Sequence, residues 1–375
     1  MIKKLKIIRV TTKPMALSIL LKGQLKFISK FHDVIAISSP GKELTDIKNN
    51  ECVRTIPLYM TRKITPIKDI ISLVKMIRIL KKERPDIIHS HTPKAGIISM
   101  LASIICKIPH RLHTVAGLPL MEATGFKRKV LFFVEWLTYR CATKVYPNSY
   151  GLKKFILENF SIFDNKISVI GSGSSNGIDT DYFDRTKEVN KFAFNYKKKF
   201  SLNKVFSFIF IGRIVKDKGI EELLIAFSRL NKKYNNIRLL ILGWEERDLD
   251  PISNSAKKIL LLNKNIINIG FKIDVRPFLA ASNCLVLPSY REGFPNVVLQ
   301  ACSMQIPSIV SNINGCNEII HDKVNGLLVQ PKNIESLYLA MKKIYLDKKL
   351  FKSLSCSARE NVVKNYKSEI FHSEM

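Results

Sequence analysis

Along the chain, short apolar runs bounded by turn-forming residues alternate with longer segments in which apolar positions recur every three or four residues. The short runs read as strands covered on both faces and the longer ones as helices with one buried stripe, so the pattern predicts parallel strands joined by crossover helices. Strands are expected at 6–10, 34–37, 86–89, 111–115 and 144–147, and again at 206–212, 237–243, 265–270, 284–287 and 307–311. Helices are expected at 67–82, 127–142, 219–233 and 333–346. Two doubly wound α/β domains follow. The break falls within 171–203, where Gly171-Ser-Gly-Ser-Ser-Asn-Gly gives way to a Lys-rich polar segment before a new buried strand. The first domain is placed at 1–190, the second at 191–355, and a C-terminal helix at 356–375 is expected to pack back toward the first. In open parallel sheets ligands bind beyond the carboxyl ends of the strands, which directs the search to those turns and to the cleft between the domains.

Composition supports this division and adds one strong feature. With 375 residues, 46% of them apolar, the chain can bury two cores. No run of 18 uncharged apolar residues occurs, and the N-terminal stretch is broken by charge before a signal-peptide core could form, so a cytoplasmic protein is expected. Seven cysteines, widely scattered and without a C-x-x-C, indicate neither a disulfide framework nor a zinc site and read as small buried apolar residues. The net charge is +30, and residues 1–200 carry 36 Lys and Arg against 15 Asp and Glu. Nucleic acid, an anionic membrane surface or a phosphorylated substrate would each suit such a chain, as would a Lys-, Ile- and Asn-rich genome bias spread over solvated faces.

The strand ends carry the candidate chemistry. After the first strand of the second half, Gly212 permits a tight turn, Arg213 and Lys218 supply two cations, and a helix beginning near Gly219 aims its amides and dipole into the same space. Together they form a cradle for a diphosphate, alternatively two solvated strand-end cations. Beyond the strand at 284–287, Glu292-Gly-Phe-Pro makes the turn into a helix opening at Asn296. A carboxylate there can accept hydrogen bonds from sugar hydroxyls, Gly293 allows close backbone approach, and the amides after Pro295 can reach a phosphate. Gln300, about two helical turns further on, is placed to meet a ribose diol or to sit at a core edge.

These residues resemble the retaining glycosyltransferases of family 4, which have the GT-B fold of two Rossmann-like domains facing across a cleft. The resemblance rests on Gly212-Arg213 with Asp217-Lys218-Gly219, on Leu287-Pro-Ser with Arg291-Glu-Gly-Phe-Pro, on Ser311-Asn-Ile-Asn-Gly-Cys-Asn-Glu318, and on Asn325-Gly-Leu-Leu-Val. Within the family the chain is most similar to enzymes assembling bacterial capsule, O-antigen or other lipid-linked oligosaccharides, notably at His89-Ser-His-Thr-Pro-Lys94 and from His113 to Glu122. The resemblance implies that Arg213 and Lys218 neutralise the donor diphosphate, that Glu292 with the Gly293 and Phe294 backbone holds the donor sugar, and that Gln300 replaces the family's second glutamate as ribose ligand. Ala116 stands where many relatives have a histidine, with His113 three residues earlier, and the first loop, Thr11-Thr-Lys-Pro-Met, lacks the usual glycines. On the acceptor side His91, Lys94, His113 and Glu122 are the candidates, Lys94 for an acceptor phosphate.

The implied function is retaining transfer from a nucleotide-diphosphate sugar, UDP-linked before GDP-linked and often a UDP-N-acetylhexosamine, to a polyprenyl-diphosphate-linked glycan at the cytoplasmic membrane face. No cofactor, metal or nucleic-acid partner is expected. The rivals are a GT-B nucleotide-sugar epimerase or hydrolase, and a basic membrane- or nucleic-acid-binding protein with a degenerate transferase core. Asp179-Thr-Asp181 mimics a metal-binding D-x-D but lacks further hard ligands nearby, and His89 with His91 lacks a third zinc ligand. Residues 126–137 combine a basic cluster with large apolar side chains, as an interfacial helix or a core-facing one would.

Overall fold

The computed structural model describes residues 4–246 and 250–375; the first three residues of the charge-broken N-terminal stretch lie outside them. The chain divides into two compact units, one running to Asn176 and including Phe371–Met375, the other running from Gly177 to Ile370. Each is built on its own six-stranded parallel sheet.

In the first unit the strands are β1 (Lys6–Val10), β2 (Asp33–Ser38), β3 (Arg54–Pro57), β4 (Ile87–Ser90), β5 (His110–Val115) and β6 (Lys144–Pro147), in the order β3-β2-β1-β4-β5-β6. Alternation along β1 splits its side chains between two apolar layers. Ile8 and Val10 enter a core with Met76 and Leu80 of helix Pro66–Glu83, Ile98 of helix Pro93–Ile105 and Tyr139 of helix Gly125–Cys141. Ile7 joins Leu17, Leu25, Leu44 and Ile47 from the helices on the other face. Edge strand β3 escapes the sequence pattern because its residues are half or fully exposed and show no apolar run.

The second unit holds β7 (Phe206–Ile211), β8 (Ile237–Leu242), β9 (Ile266–Asn268), β10 (Cys284–Leu287), β11 (Ser308–Ser311) and β12 (Gly326–Val329), in the order β12-β11-β10-β7-β8-β9. Strands β7, β8, β10 and β12 are mostly apolar, and Phe208, Phe210, Leu240 and Val286 are fully buried between two helical layers. The strand order reverses at β7, whose neighbours are β8 and β10, so the turns after β7 and β10 flank a topological switch point.

The division at 176/177 corrects the expected boundary at 190/191. Helix Lys187–Lys199 buries Val189 and Ala193 in the second unit's core, and Ile178 hydrogen-bonds with Tyr366 and Ser368. The Gly171-Ser-Gly stretch, where the expected break begins, is tied into the first unit: Ser174 N donates to Asn148 O at 2.7 Å and Asn176 Nδ2 to Lys22 O at 2.7 Å. The expected C-terminal helix at 356–375 is two helices. Helix Lys348–Asn365 packs Leu354, Ala358 and Val362 into the second unit, while from Phe371 onward helix Ser368–Glu374 counts with the first. There His372 lies 4.9 Å from the Phe27 ring and its Nε2 is 2.8 Å from Asn176 Oδ1.

Candidate active site

Gly219 fixes the site of the second unit. It takes a left-handed φ of 65° to cap helix Ile220–Asn231, and a Cβ on it would lie 2.0 Å from the Pro288 carbonyl oxygen. Only a residue without a side chain lets the turn after β7 lie against the turn after β10. As a result Lys218 Nζ donates to Glu292 Oε1 at 2.5 Å, and Ser289 Oγ donates to the same oxygen at 2.7 Å. Both side chains are mostly buried, at 18% and 12% exposure. Asn314 Nδ2 from the turn after β11 donates to the Glu292 carbonyl at 2.5 Å.

Arg213 lies on the other side of the same turn. Its Nη1 donates to Glu246 Oε2 at 2.6 Å and its Nη2 is 3.8 Å from Asp217 Oδ2, which also accepts from Arg291 at 2.6 Å. Asp217 is held in turn through its amide, which donates to Asp250 Oδ2 at 2.7 Å. The expected cations are thus present, and each already faces a carboxylate. A diphosphate can enter by exchange, in which its oxygens replace Glu246 on Arg213 and Glu292 on Lys218.

The helix at Gly219 contributes less than the sequence suggests. Its first turn carries Glu221, which accepts from Ser253 N at 2.6 Å, and Glu222, which accepts from the Tyr290 hydroxyl. Those charges oppose an anion there. Helix Asn296–Ser303 has no acidic residue in its first turn and begins straight after Pro295, so its amides are the better phosphate donors. The Phe294 side chain is buried 5.4 Å from the Tyr366 ring, leaving only its backbone for a ligand. Gln300 is half-buried in the fifth position of that helix.

In the first unit the acceptor-side candidates are separated. His91 and His89 stack at 4.2 Å, buried on the sheet face that carries Arg9. His89 Nε2 is 2.7 Å from Thr114 Oγ1, and neither ring nitrogen of His91 has a hydrogen-bond partner among the described residues. Burial, then the nearby Arg9 cation, holds both histidines well below their ordinary range, and burial draws Arg9 itself down to about 9. His113 lies on the opposite face, 2.8 Å from Ser90 Oγ and packed on Gly96, with its pKa lowered by burial to about 4. It is a buried core residue on the sheet face away from His89 and His91. Lys94 is not an open cation, since it pairs with Asp69 of the neighbouring helix. Glu122 is exposed. Asp179 of the D-x-D caps its own turn, accepting from Asp181 N at 3.1 Å and Tyr182 N at 2.8 Å.

Comparison with known proteins agrees with this arrangement. Residues 26–182 match the model for Glycosyltransferase Family 4 and residues 192–361 the model for glycosyl transferases group 1. The Capsular polysaccharide biosynthesis glycosyltransferase CapM of Staphylococcus aureus is 36% identical over 357 residues, 95% of this chain and 92% of that protein. A UDP-Gal:alpha-D-GlcNAc-diphosphoundecaprenol alpha-1,3-galactosyltransferase of Escherichia coli is 28% identical over 89% of this chain and 85% of its own length. The crystal structure of Anabaena Alr3699/HepE in complex with UDP-glucose superposes with a TM-score of 0.82 at 15% identity, covering 98% of this chain and 97% of that one. Two six-stranded parallel doubly wound sheets, together with these matches, define a glycosyltransferase of the GT-B fold. The chain belongs to the family 4 glycosyltransferases.

Proposed function

We propose that the protein transfers a sugar, with retention, from a UDP-sugar of the N-acetylhexosamine class to a glycan carried on a polyprenyl diphosphate, in the assembly of a bacterial surface polysaccharide. The observation that carries this reading is the Lys218–Glu292 pair beside Arg213, which offers exchangeable cations for a diphosphate and a carboxylate for the sugar it bears. The capsular S. aureus relative and the E. coli relative, named for a UDP-sugar donor and a diphosphoundecaprenol acceptor, support the substrate classes.

As the bond between the sugar's anomeric carbon and the β-phosphate oxygen breaks, its electron pair goes to that oxygen. Arg213, Lys218 and the amides opening helix Asn296–Ser303 are fixed where the charge grows. The acceptor hydroxyl attacks from the same face and gives its proton to the departing phosphate, so no protein base is required and the protein's own cations serve without a metal.

Among the described residues no helix is long and apolar enough to cross a membrane. Peripheral binding is supported by helix Pro66–Glu83, whose exposed Ile67, Ile70, Ile71 and Val74 recur at helical spacing beside Lys68, Lys75 and Arg78. Helix Gly125–Cys141 adds Phe126, 81% exposed, and Phe133 next to Lys127 and Lys129.

The test is incubation of the purified protein with UDP-N-acetylhexosamines, with and without a polyprenyl-diphosphate-linked sugar, on anionic vesicles. Glycan extension is expected only with the acceptor present, with EDTA making no difference. Epimer or free sugar formed from donor alone would instead support the epimerase or hydrolase.

A further inference from the structure

At the amino ends of β10 and β11 the second unit holds a cavity of about 170 Å³. Ser282 and Asn283 on its wall lead into β10, and Gln305 and Ile306 lead into β11. The turn that carries Glu292 leaves the other end of β10, so a strand about 13 Å long separates the cavity from the donor site.

The polar wall is cationic, and its charge is not neutralised. Arg185 Nε donates to Met304 O at 3.0 Å and Nη1 to Ala280 O at 3.5 Å, while Nη2 has no hydrogen-bond partner among the described residues. Neither Arg185 nor Lys197 forms an ion pair among the described residues, although both are half-buried. Burial lowers the pKa of each, and the nearby Arg185 charge lowers that of Lys197 further. By contrast Arg213, Lys218, Arg276 and Arg359 of the same unit, also half-buried, each face a carboxylate. A partly desolvated cation without a counter-charge is costly, and a bound anion relieves that cost.

The rest of the wall suits an anion with several oxygens. Asn283 Oδ1 accepts from Ser207 N at 2.8 Å and from Ser207 Oγ at 3.1 Å, which leaves its Nδ2 to donate. Gln305, exposed at the mouth, supplies a second amide, and no carboxylate lines the cavity. The remaining side is apolar: Ile306 is buried, and the Phe351 ring packs 5.5 Å from that of Phe206. At about 30 Å³ per water the space equals about six waters, enough for a phosphate group and too small for a nucleotide.

We infer that this cavity is a second anion site, separate from the donor cradle, which takes a phosphate group either free or at the end of a sugar phosphate. The open edge of the Arg185 guanidinium meets two phosphate oxygens, the amides of Asn283 and Gln305 meet the others, and Lys197 adds positive potential. The site stands whether or not the chain transfers a sugar.

Calorimetric titration of Arg213→Ala/Lys218→Ala, which lacks the cradle's cations, tests it with inorganic phosphate and with a hexose 1-phosphate. One phosphate group is expected to bind per chain. Adding Gln305→Glu sets a carboxylate at the mouth with little change in volume and is expected to weaken binding at least about tenfold. Arg185→Gln should weaken it about as much. Because Arg185 also holds two backbone carbonyls, the exposed Gln305 keeps the test open if Arg185→Gln does not fold. Tighter binding of the hexose 1-phosphate assigns the site to a sugar phosphate, and equal binding assigns it to the free anion. Binding of neither, or binding that Gln305→Glu leaves unchanged, overturns the inference.

Discussion

Arg213 rests 2.6 Å from Glu246, a carboxylate that must leave before a phosphate can take its place. Replacing Glu246 with Gln keeps the volume and removes the competing charge. UDP is therefore expected to bind two- to tenfold more tightly to Glu246→Gln, a gain on the order of 1 kcal/mol, as measured by calorimetry. Weaker binding would instead give Glu246 a part in holding Arg213 or the nucleotide. Gly212, Arg213, Lys218 and Glu292 were legible in the sequence because each lies within a few residues of the end of a recognisable strand. Glu246 was not, since it reaches Arg213 from the end of β8 and no spacing relates the two. Asp217 and Arg291 stood inside the quoted motifs, yet only the folded turns show that one carboxylate bridges Arg213 and Arg291.

At the level of elements, helix Gly125–Cys141 was read from its periodicity nearly to the residue, but its buried Glu135 was not. Burial pushes the Glu135 carboxyl up to about 7, only partly opposed by the Tyr139 hydroxyl one turn on. A carboxyl whose pKa rises on folding favours the folded state most below its ordinary value near 4.5, and that advantage is lost as pH climbs through 7. Glu135→Gln is therefore expected to be relatively more stable than wild type above pH 7, by up to about 3 kcal/mol, with the difference shrinking toward pH 4.5. Urea unfolding followed through Trp136 emission in a Trp244→Phe background checks this. A pH-independent difference would contradict it. The strands that escaped the sequence have different causes: β3 is a sheet edge whose residues are half or fully exposed, whereas β12 is a mostly buried apolar run of only four residues opened by a glycine.

At the scale of the whole molecule, the sequence showed two doubly wound units and misplaced the division between them, because polar, Lys-rich residues 187–199 look like a linker and fold as a helix of the second unit. The charge of +30 was legible as a number but not as a surface. The structure gives it form in exposed apolar stripes bordered by lysines in the first unit, while the second unit pairs its key cations with carboxylates. The central claim concerns that second unit: Arg213 and Lys218 are the groups that receive a nucleoside diphosphate. The most direct measurement is the dissociation constant of UDP for wild type, Arg213→Ala and Lys218→Ala. Each charge-assisted contact to phosphate contributes about 1.5–3 kcal/mol, so each substitution should weaken UDP at least tenfold without unfolding the protein. Unchanged UDP affinity in both variants would contradict the account.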